Sequence, residues 1–506
     1  MEESSVLGTE SRIFAPISGA LAWLLARPAV LVLAFVLAGS IFRVGQYLSQ
    51  RSFWHDEAFL VLNIQDKTAR GLLGRLEHDQ VAPPLFLLAQ KGLVSWLGQS
   101  EYVYRMLPVA FGVGGLVLFG RLALRVMPQA APWAVALMAF SGKLIWHSSE
   151  AKQYSSDVFV AVLMLYIAAG RPGMSAMARL TIAAALATVG MWFSHAAVFM
   201  FGGVSLALLP RILREGRWRI AVYAALNATV LASFVLLYWF SIRLQQTQYL
   251  HEYWSDRFPD WSRPLLAPWW LARQVFELGN HPYESLGWLM VLLAAAGGVL
   301  LYRTSRLQLL GTCLAPIGLV VVAACVQKYP FGGSRVTVFL LPGVCLLAAA
   351  GVEQLRLHLG KEHRRWWWVA IVPFLGMGLV QGTYHLFSPR TKSHIRPVAA
   401  YVRERRQADE AIYVVDGRRA NRSLEMFCYW RPEGPVYTDL RPQGAIATER
   451  FWIVAAIEPG DFEHLSPILK YAASVARERG RYEVRGGVAL LFEKRANRVH
   501  GAGGNG

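Results

Sequence analysis

The fold of this chain is decided by an apolar stretch near its beginning, Pro28-Ala-Val-Leu-Val-Leu-Ala-Phe-Val-Leu-Ala-Gly-Ser-Ile-Phe-Arg-Val-Gly-Gln-Tyr47. A helix of roughly 20 apolar residues crosses about 30 Å of hydrocarbon, and this stretch has that length. Backbone groups find no water inside a bilayer, so a segment that spans it is expected to be helical. Further stretches of this kind lie at 105–126, 131–148, 151–170, 178–195, 196–210, 219–241, 284–302, 308–327, 335–352 and 366–386. The sequence therefore predicts a polytopic α-helical membrane protein with about 11 transmembrane helices.

The composition agrees with a membrane protein. Of the 506 residues, 55% are hydrophobic and 17% are charged, whereas about a quarter are charged in soluble domains. The formal net charge is +18, but many basic residues stand in short loops, where they orient the chain and contact lipid headgroups. We therefore expect the lipid bilayer, and no nucleic acid, as a partner. The four cysteines form no Cys-x-x-Cys pair, so neither a metal cluster nor a disulfide framework is predicted.

The loop charges predict an orientation. Among the short loops between spans, alternate ones carry most of the arginines, such as Arg121 and Arg125, and by the positive-inside rule these loops face the cytoplasm. The N-terminus is then cytoplasmic, while loops 48–104 and 242–283 and the C-terminal part lie outside. This predicts a multi-pass protein of the cytoplasmic (inner) membrane. The apolar run 85–97 is too short to cross and is expected to be a helix in the interface or re-entering beside the bundle.

The composition changes at Pro389, which divides a membrane domain (1–388) from a soluble domain (389–498). Buried strands are predicted at 412–416, 451–455 and 488–492, and helices at 394–407 and 461–479. Strands that alternate with helices favour a small extracytoplasmic α/β domain, periplasmic or extracellular by the orientation above. The glycine-rich residues 499–506 are predicted to be a disordered tail.

An acidic pair follows the first span, in Arg51-Ser-Phe-Trp-His-Asp-Glu-Ala-Phe59. Asp56 and Glu57 stand there among His55 and several aromatic residues. An ionised carboxylate could accept a proton from a hydroxyl group as a general base, or help to hold a divalent cation. A hydrated acidic turn explains the residues equally well, so the local sequence leaves both readings open.

Other polar residues fall on the same predicted outer side. Lys152 and Arg335 are cations that could bind a phosphate, although interfacial snorkelling explains them too. The candidates for binding substrate or phosphate are Asp79, Arg105, Glu150, Lys152, Tyr154, Tyr329, Arg335 and His55. A shared side is necessary for one site but does not prove it, because polar residues at the ends of spans are easily hydrated.

These residues belong to four motifs that occur in order. The motifs are Phe53-Trp-His-Asp-Glu57; Asp79-Gln-Val-Ala-Pro-Pro-Leu85 with Glu101 and Arg105-Met-Leu-Pro108; Ser149-Glu-Ala-Lys-Gln-Tyr154; and Tyr329-Pro-Phe-Gly-Gly-Ser-Arg335 with Pro342. Together they resemble the GT-C type glycosyltransferases that use polyprenyl-phosphate sugars. The similarity is greatest to bacterial relatives of the protein O-mannosyltransferases and of the lipid A aminoarabinose transferase. It extends from Phe53 to Pro342.

The resemblance implies a GT-C fold and a displacement at the anomeric carbon of a polyprenyl-phosphate-sugar donor. The acceptor would be an envelope glycan, a lipid or a protein, and a metal would be optional. In such enzymes the aspartate of the first loop acts as the base or orients the acceptor, a role that carries over to Asp56 with Glu57 as support. Some relatives have a lysine directly before Pro-Pro, where this chain has Ala82. Because Lys152 and Arg335 are positively charged, we expect them to bind phosphate in place of this lysine.

Two other functions fit parts of the pattern. A transporter or flippase of lipid-linked glycans should have ionisable or helix-breaking residues at mid-span and internal repeats, whereas the polar residues here crowd one face. A non-catalytic subunit of envelope assembly would use the α/β domain for docking. The acidic pair argues only weakly against that reading.

Overall fold

A computed structural model describes residues 26–359, 368–416, 422–437, 448–456 and 462–495. Helices of six or more residues are, in chain order, α1 Pro28–Leu48, α2 His55–Asp66, α3 Pro84–Leu97, α4 Glu101–Val126, α5 Ala131–Ala139, α6 Gly142–His147, α7 Tyr154–Ala169, α8 Ala176–Gly190, α9 Ala197–Ile212, α10 Arg217–Leu237, α11 Gln248–Tyr253, α12 Ala267–Asn280, α13 Gly287–Arg303, α14 Leu307–Cys325, α15 Leu341–His358, α16 Val372–Phe387, α17 Ile395–Arg405 and α18 Phe462–Val475. The strands are β1 Ala411–Asp416, β2 Val436–Tyr437, β3 Arg450–Ala456, β4 Ala476–Val484 and β5 Gly487–Lys494. A 3₁₀ turn, Arg335–Leu340, leads into α15, and another covers Arg422–Cys428.

The helices agree with the predicted multi-pass membrane protein. Six helical segments in the described part of the chain are long and apolar enough to cross a bilayer: Pro28–Leu48, Glu101–Val126, Ala197–Glu215, Arg217–Gln245, Leu307–Cys325 and Arg335–His358. Three shorter apolar helices accompany them, namely α7, α8 and α13. Helix also covers the short run 85–97, where α3 begins with Pro84 in its first turn, a position that suits the fixed φ of proline.

The stretch 131–148 differs from its prediction, because it contains two short helices instead of one. α5 ends at Ala139, and Ser141 begins α6 by accepting a hydrogen bond from the N–H of Leu144 at 3.4 Å. The carbonyl groups that the break leaves open are bound by Arg43 of α1, which donates to Ala139 O at 2.9 Å and to Met138 O at 3.0 Å. A charged residue inside a span is thus used to satisfy backbone groups.

The core of the helical part surrounds α15, whose residues from Leu341 to Val352 are all buried. α13 crosses it at close range. A Cβ on Gly297 would lie 1.8 Å from the carbonyl oxygen of Leu347, and one on Gly351 would lie 1.9 Å from that of Leu293. Only glycine allows two backbones to approach so closely, as in small-residue crossings of membrane helices.

The C-terminal part contains a five-stranded sheet in the order β2-β1-β3-β5-β4. β1 is parallel to β2 and β3, whereas β5 is antiparallel to β3 and β4. Alternate residues of β1 face opposite sides: Ile412 and Val414 pack in the cluster that contains α17, and Tyr413 and Val415 pack in the cluster that contains α18. The sheet is therefore covered by helices on both faces.

Two details of the predicted α/β domain were wrong. The helix expected at 461–479 ends at Val475, and the edge strand β4 follows at once. Charged residues in this strand alternate with less exposed ones because one side of an edge strand meets water. The sequence prediction extended the helix over this segment. The two-residue strand β2 had no detectable pattern. The predicted tail 499–506 lies outside the described residues.

The contacts divide the chain at Pro389, where the composition changes, and also at two positions that the sequence did not indicate. One compact unit contains Met1–Ser49 and Ala69–Ser388, and the other contains Gln50–Thr68 together with Pro389–Gly506. The sequence placed 48–104 as one outer loop of the membrane domain. In the structure α2, which carries the acidic pair, packs against the 3₁₀ turn Arg422–Cys428 and belongs to the unit that contains the sheet. We call these the membrane unit and the sheet unit.

Candidate functional site

In the sheet unit, Asp56 and Glu57 lie in the first turn of α2, so the acidic motif is helical and not a loop. Both are buried, with 6% and 0% of their surface exposed. Carboxylates are stabilised at this end of a helix because its unsatisfied N–H groups carry partial positive charge. Successive residues of a helix are about 100° apart around its axis, so the two side chains leave the helix in different directions. His55 precedes them, with its ring 4.4 Å from that of Trp54.

Glu57 is held by a buried ion pair. Its Oε2 lies 2.6 Å from Nη1 of Arg51, and both side chains are at most 2% exposed. The same oxygen accepts a longer hydrogen bond of 3.4 Å from the backbone N–H of Trp54. Glu57 therefore joins residues 51–54, which precede α2, to the first turn of the helix.

The contacts of Glu57 also bear on whether the acidic pair could hold a divalent cation. A divalent cation needs several oxygen ligands on one side. Among the described residues, no group of three or more His, Cys, Asp or Glu side chains is placed to hold a metal ion. Oε2 of Glu57 is engaged by the guanidinium of Arg51, which makes this oxygen a poor ligand for a cation.

In the membrane unit, the second motif contacts the third. Lys152 is buried and its ammonium donates to Oε1 of Gln80, next to Asp79. The side chain of Gln153 donates to the carbonyl of Val81 at 3.2 Å. Asp79 is half-buried and, with a φ of 51°, adopts a left-handed conformation that is unfavourable for most residues but tolerated by aspartate. The sequence motifs thus form one structure at this point.

The third motif surrounds an imidazole that sequence reasoning missed. Glu150 is buried and accepts hydrogen bonds from the indole N–H of Trp146 at 2.5 Å and from Nδ1 of His147 at 2.6 Å. The ring of Tyr154 meets that of His147 edge-on, with centroids 5.1 Å apart. His147 stands three positions before Glu150, a helical spacing that could have indicated the pair.

His281 completes this cluster. Its ring stacks on that of His147 with centroids 6.1 Å apart and an interplanar angle of 18°. Burial, followed by the neighbouring His147, Lys143 and Arg257, lowers the pKa of His281 to about 3. The imidazole is therefore neutral at physiological pH. His281 is far from the motif in sequence, and no local signal identifies it.

The fourth motif forms the turn before α15. Tyr329 donates its hydroxyl hydrogen to the carbonyl of Val336 at 2.7 Å, which closes the turn. The guanidinium of Arg335 lies 5.9 Å from the ring centre of Tyr253 and 5.8 Å from that of Trp254. Arg335 is thus within the range of cation–π attraction to two rings of the segment 242–283.

Arg105 is the remaining candidate and lies in α4. It is 2% exposed and stands four residues after Glu101, which is also buried, so both side chains occupy one face of the helix. α4 begins at Ser100, whose hydroxyl accepts from the N–H of Val103 at 3.3 Å. Of the predicted residues, the structure joins Glu150 to Tyr154 through His147, and brings Lys152 to Gln80, the residue after Asp79.

Comparisons with known proteins identify the fold. Neither the protein-family models nor the curated proteins give a match to this sequence. Among solved structures, the chain is similar to the crystal structure of ArnT from Cupriavidus metallidurans in the apo state, with a TM-score of 0.51, 14% identity, and coverage of 94% of this chain and 98% of that chain. The structure of the same protein bound to undecaprenyl phosphate gives a TM-score of 0.51 and 14% identity over 93% of this chain and 98% of that chain. The chain therefore has the GT-C glycosyltransferase fold, as the four motifs predicted.

Proposed function

We propose that this protein is a membrane glycosyltransferase that moves a sugar from a polyprenyl-phosphate donor to an envelope glycan, lipid or protein acceptor. The observation that carries the proposal is the likeness to ArnT over nearly the whole chain, since that protein is known with undecaprenyl phosphate bound. Buried ionisable residues at the motif positions support it. Such burial is expensive and is usually kept for function or for specific pairing.

The proposed reaction is one displacement. A hydroxyl oxygen of the acceptor forms a bond to the anomeric carbon of the sugar, and the bond from that carbon to the phosphate oxygen breaks. The electron pair leaves with the polyprenyl phosphate, and the hydroxyl proton passes to a base. A phosphate leaving group needs charge stabilisation more than it needs a general acid.

Each candidate residue has a role in this scheme. Asp56 is the base that accepts the hydroxyl proton or orients the acceptor. Glu57 supports it through the ion pair with Arg51, which fixes the start of α2. Lys152 and Arg335 bind donor phosphate, Arg335 through the planar fork of its guanidinium. Lys152 donates to the amide oxygen of Gln80, and the guanidinium of Arg335 lies within cation–π range of two aromatic rings.

The remaining motif residues shape the donor region. Glu150 and Tyr154 fix His147, Asp79 shapes the turn that reaches Lys152, and Arg105 and Tyr329 order the segments on which the motifs lie. His55 lines the approach to Asp56.

The proposed site faces outward, with the N-terminus in the cytoplasm and the sheet unit in the periplasm or outside the cell. A reporter fused after Pro389 should then be active only outside the cytoplasm, and activity inside would reverse this orientation.

The test is the substitution Asp56→Asn in cells whose own copy of the gene is deleted. General bases contribute roughly 10²–10⁴-fold to rate, so transfer should fall at least about 100-fold. The measurement is mass analysis of envelope glycans, lipids and proteins. Deletion should remove one sugar increment from one class of molecule, and the unchanged gene should restore it.

The matched control is Asp66→Asn, which alters an exposed carboxylate of the same helix that pairs with Arg431. This variant should restore the sugar fully, whereas Asp56→Asn should not, although both proteins are inserted at equal levels. Full transfer by Asp56→Asn would rule out the base. No mass difference on deletion would argue against the transferase itself.

A further inference from the structure

The approach to α2 is bound directly by the C-terminal residues of the sheet unit. The backbone N–H of Phe53, just before the helix, donates to the hydroxyl oxygen of Tyr429 at 2.6 Å. The rings of the same two residues stack, with centroids 5.7 Å apart and an interplanar angle of 20°. Phe53 is 2% exposed. One tyrosine thus fixes both the backbone and the side chain of this residue.

A second contact fixes the preceding residue. The hydroxyl oxygen of Ser52 accepts a hydrogen bond of 3.2 Å from the backbone N–H of Arg396 and lies 2.8 Å from Nδ1 of His394. The hydroxyl group of Ser52 can donate to this ring nitrogen or accept from it, according to the tautomer of the imidazole. The segment before α17 therefore holds Ser52 from two sides.

The sheet in turn fixes His394. Its backbone N–H donates to the carbonyl of Gly486 at 3.0 Å, in the turn between β4 and β5. Gly486 has a φ of 96°, and a Cβ there would lie 2.9 Å from the N of His394. Only glycine allows this close approach. A continuous path of contacts thus runs from the sheet through His394 to Ser52.

The far part of α2 is bound by the same unit. The thiol of Cys428 donates to the carbonyl of Ala58 at 3.6 Å, and Gln65 donates to the carbonyl of Cys428 at 3.4 Å. Burial, followed by Glu425, raises the pKa of the Cys428 thiol well above its ordinary value, so the thiol stays protonated as a donor. Asp66 pairs with Arg431 at the end of the helix. The helix is held from its approach to its last turn.

We propose that Tyr429 and His394 are positioning residues, through which the sheet unit sets the orientation of the Asp56 carboxylate. The proposal rests on the proposed function, since it gives Asp56 a reaction in which orientation matters. Asp56 lies three residues after Phe53, in the first turn of α2, so a shift of the segment 51–54 moves its carboxylate. Displacements of about 1 Å can cost roughly 100-fold in rate. In this proposal, the α/β fold contributes to catalysis by holding α2 in place.

The first experiment uses Tyr429→Phe in the full chain, which removes the hydroxyl group and keeps the ring. Hydrogen–deuterium exchange of the peptide that covers 52–62 should become faster. The kcat for sugar transfer should fall roughly tenfold while the KM for the donor changes less than about twofold. The matched control is Tyr437→Phe, since Tyr437 stacks on Tyr413 at 5.1 Å in the same unit. It should leave both measurements unchanged.

The second experiment examines His394. His394→Asn keeps a hydrogen-bonding group near the position of Nδ1 and should retain most of the kcat, whereas His394→Ala should lower it. A merely structural role would not produce this rescue, provided that both variants have the thermal stability of the unchanged protein. If Tyr429→Phe does not fold, the His394 pair still decides the question.

The outcomes separate this proposal from the proposed function. Faster exchange of 52–62 with unchanged kcat overturns positioning, and so does unchanged exchange in both Tyr429→Phe and His394→Ala. If the unchanged protein transfers no sugar from any polyprenyl-phosphate donor, the proposed function fails. Faster exchange would then still establish that these residues order α2, without a catalytic role.

Discussion

The start of α2 and the turn between α6 and α7 each bury a glutamate that belongs to a sequence motif, but they hold it differently. Glu57 is paired with the guanidinium of Arg51, which cancels its charge. Glu150 receives hydrogen bonds from an indole and an imidazole. The first glutamate is held by a charged group, whereas the second is held by directed hydrogen bonds from two aromatic side chains. Two buried glutamates that both belong to sequence motifs can therefore have different roles.

The largest effect is expected from Arg51→Met, which leaves Glu57 buried without its cation. Breaking a buried pair from one side costs about 3–5 kcal/mol. The thermal midpoint in detergent should fall sharply, and the double variant Arg51→Met with Glu57→Gln should recover most of the loss. Arg431→Met removes an ion pair whose members are about half exposed, at 55% and 48%, and serves as the control. Exposed pairs contribute about 1 kcal/mol or less. Equal losses in the two variants would contradict the structural role given to Glu57.

A smaller effect is expected from Glu150→Gln. Trp146 and His147 contact different oxygens of Glu150, and the amide keeps an oxygen at only one of these two positions, so one of the two groups is left facing an NH₂ group. Such a mismatch costs about 1–3 kcal/mol. The loss should appear in the thermal midpoint together with reduced transfer. Glu284→Gln is the control, since Glu284 is exposed and pairs with Lys143 at 2.7 Å. A Glu150→Gln protein as stable and active as the control would show that the His147 contact has no consequence.

The smallest effect is expected from Arg335→Ala, which tests whether a cation held by aromatic rings serves the donor. Loss of one phosphate contact of about 1.4 kcal/mol weakens the apparent donor affinity roughly tenfold. The measurement is the dependence of the transfer rate on donor concentration. Arg243→Ala is matched, because Arg243 also lies over an aromatic ring, that of Trp239 at 3.6 Å. An unchanged donor affinity for Arg335→Ala would remove it from the phosphate site.

Much of the architecture followed from local pattern. The apolar stretches gave the positions of the membrane helices because a span must be long, apolar and helical. The strands β1, β3 and β5 were found because a buried strand is a short apolar run between turn signals. β4 was missed since an edge strand exposes half its residues, and the break between α5 and α6 was missed since Arg43, far away in sequence, completes it.

The candidate site divides in the same way. Motif order placed Asp56, Glu57, Glu150 and Tyr154 among the residues of interest, and the structure finds all four buried. His281 was missed because its relation to His147 exists only as a ring contact between distant segments. No periodicity records such a contact.

The sequence by itself determined that this is a polytopic membrane protein with a GT-C type set of motifs and a small α/β part, because length, hydropathy and motif order are local properties. Only the tertiary structure decided that the acidic helix belongs with that α/β part. Ser52 and His394 are separated by 342 positions yet lie within hydrogen-bonding distance. Contacts between such distant residues depend on how the whole chain packs, so the partner of the acidic motif became visible only once the chain was folded.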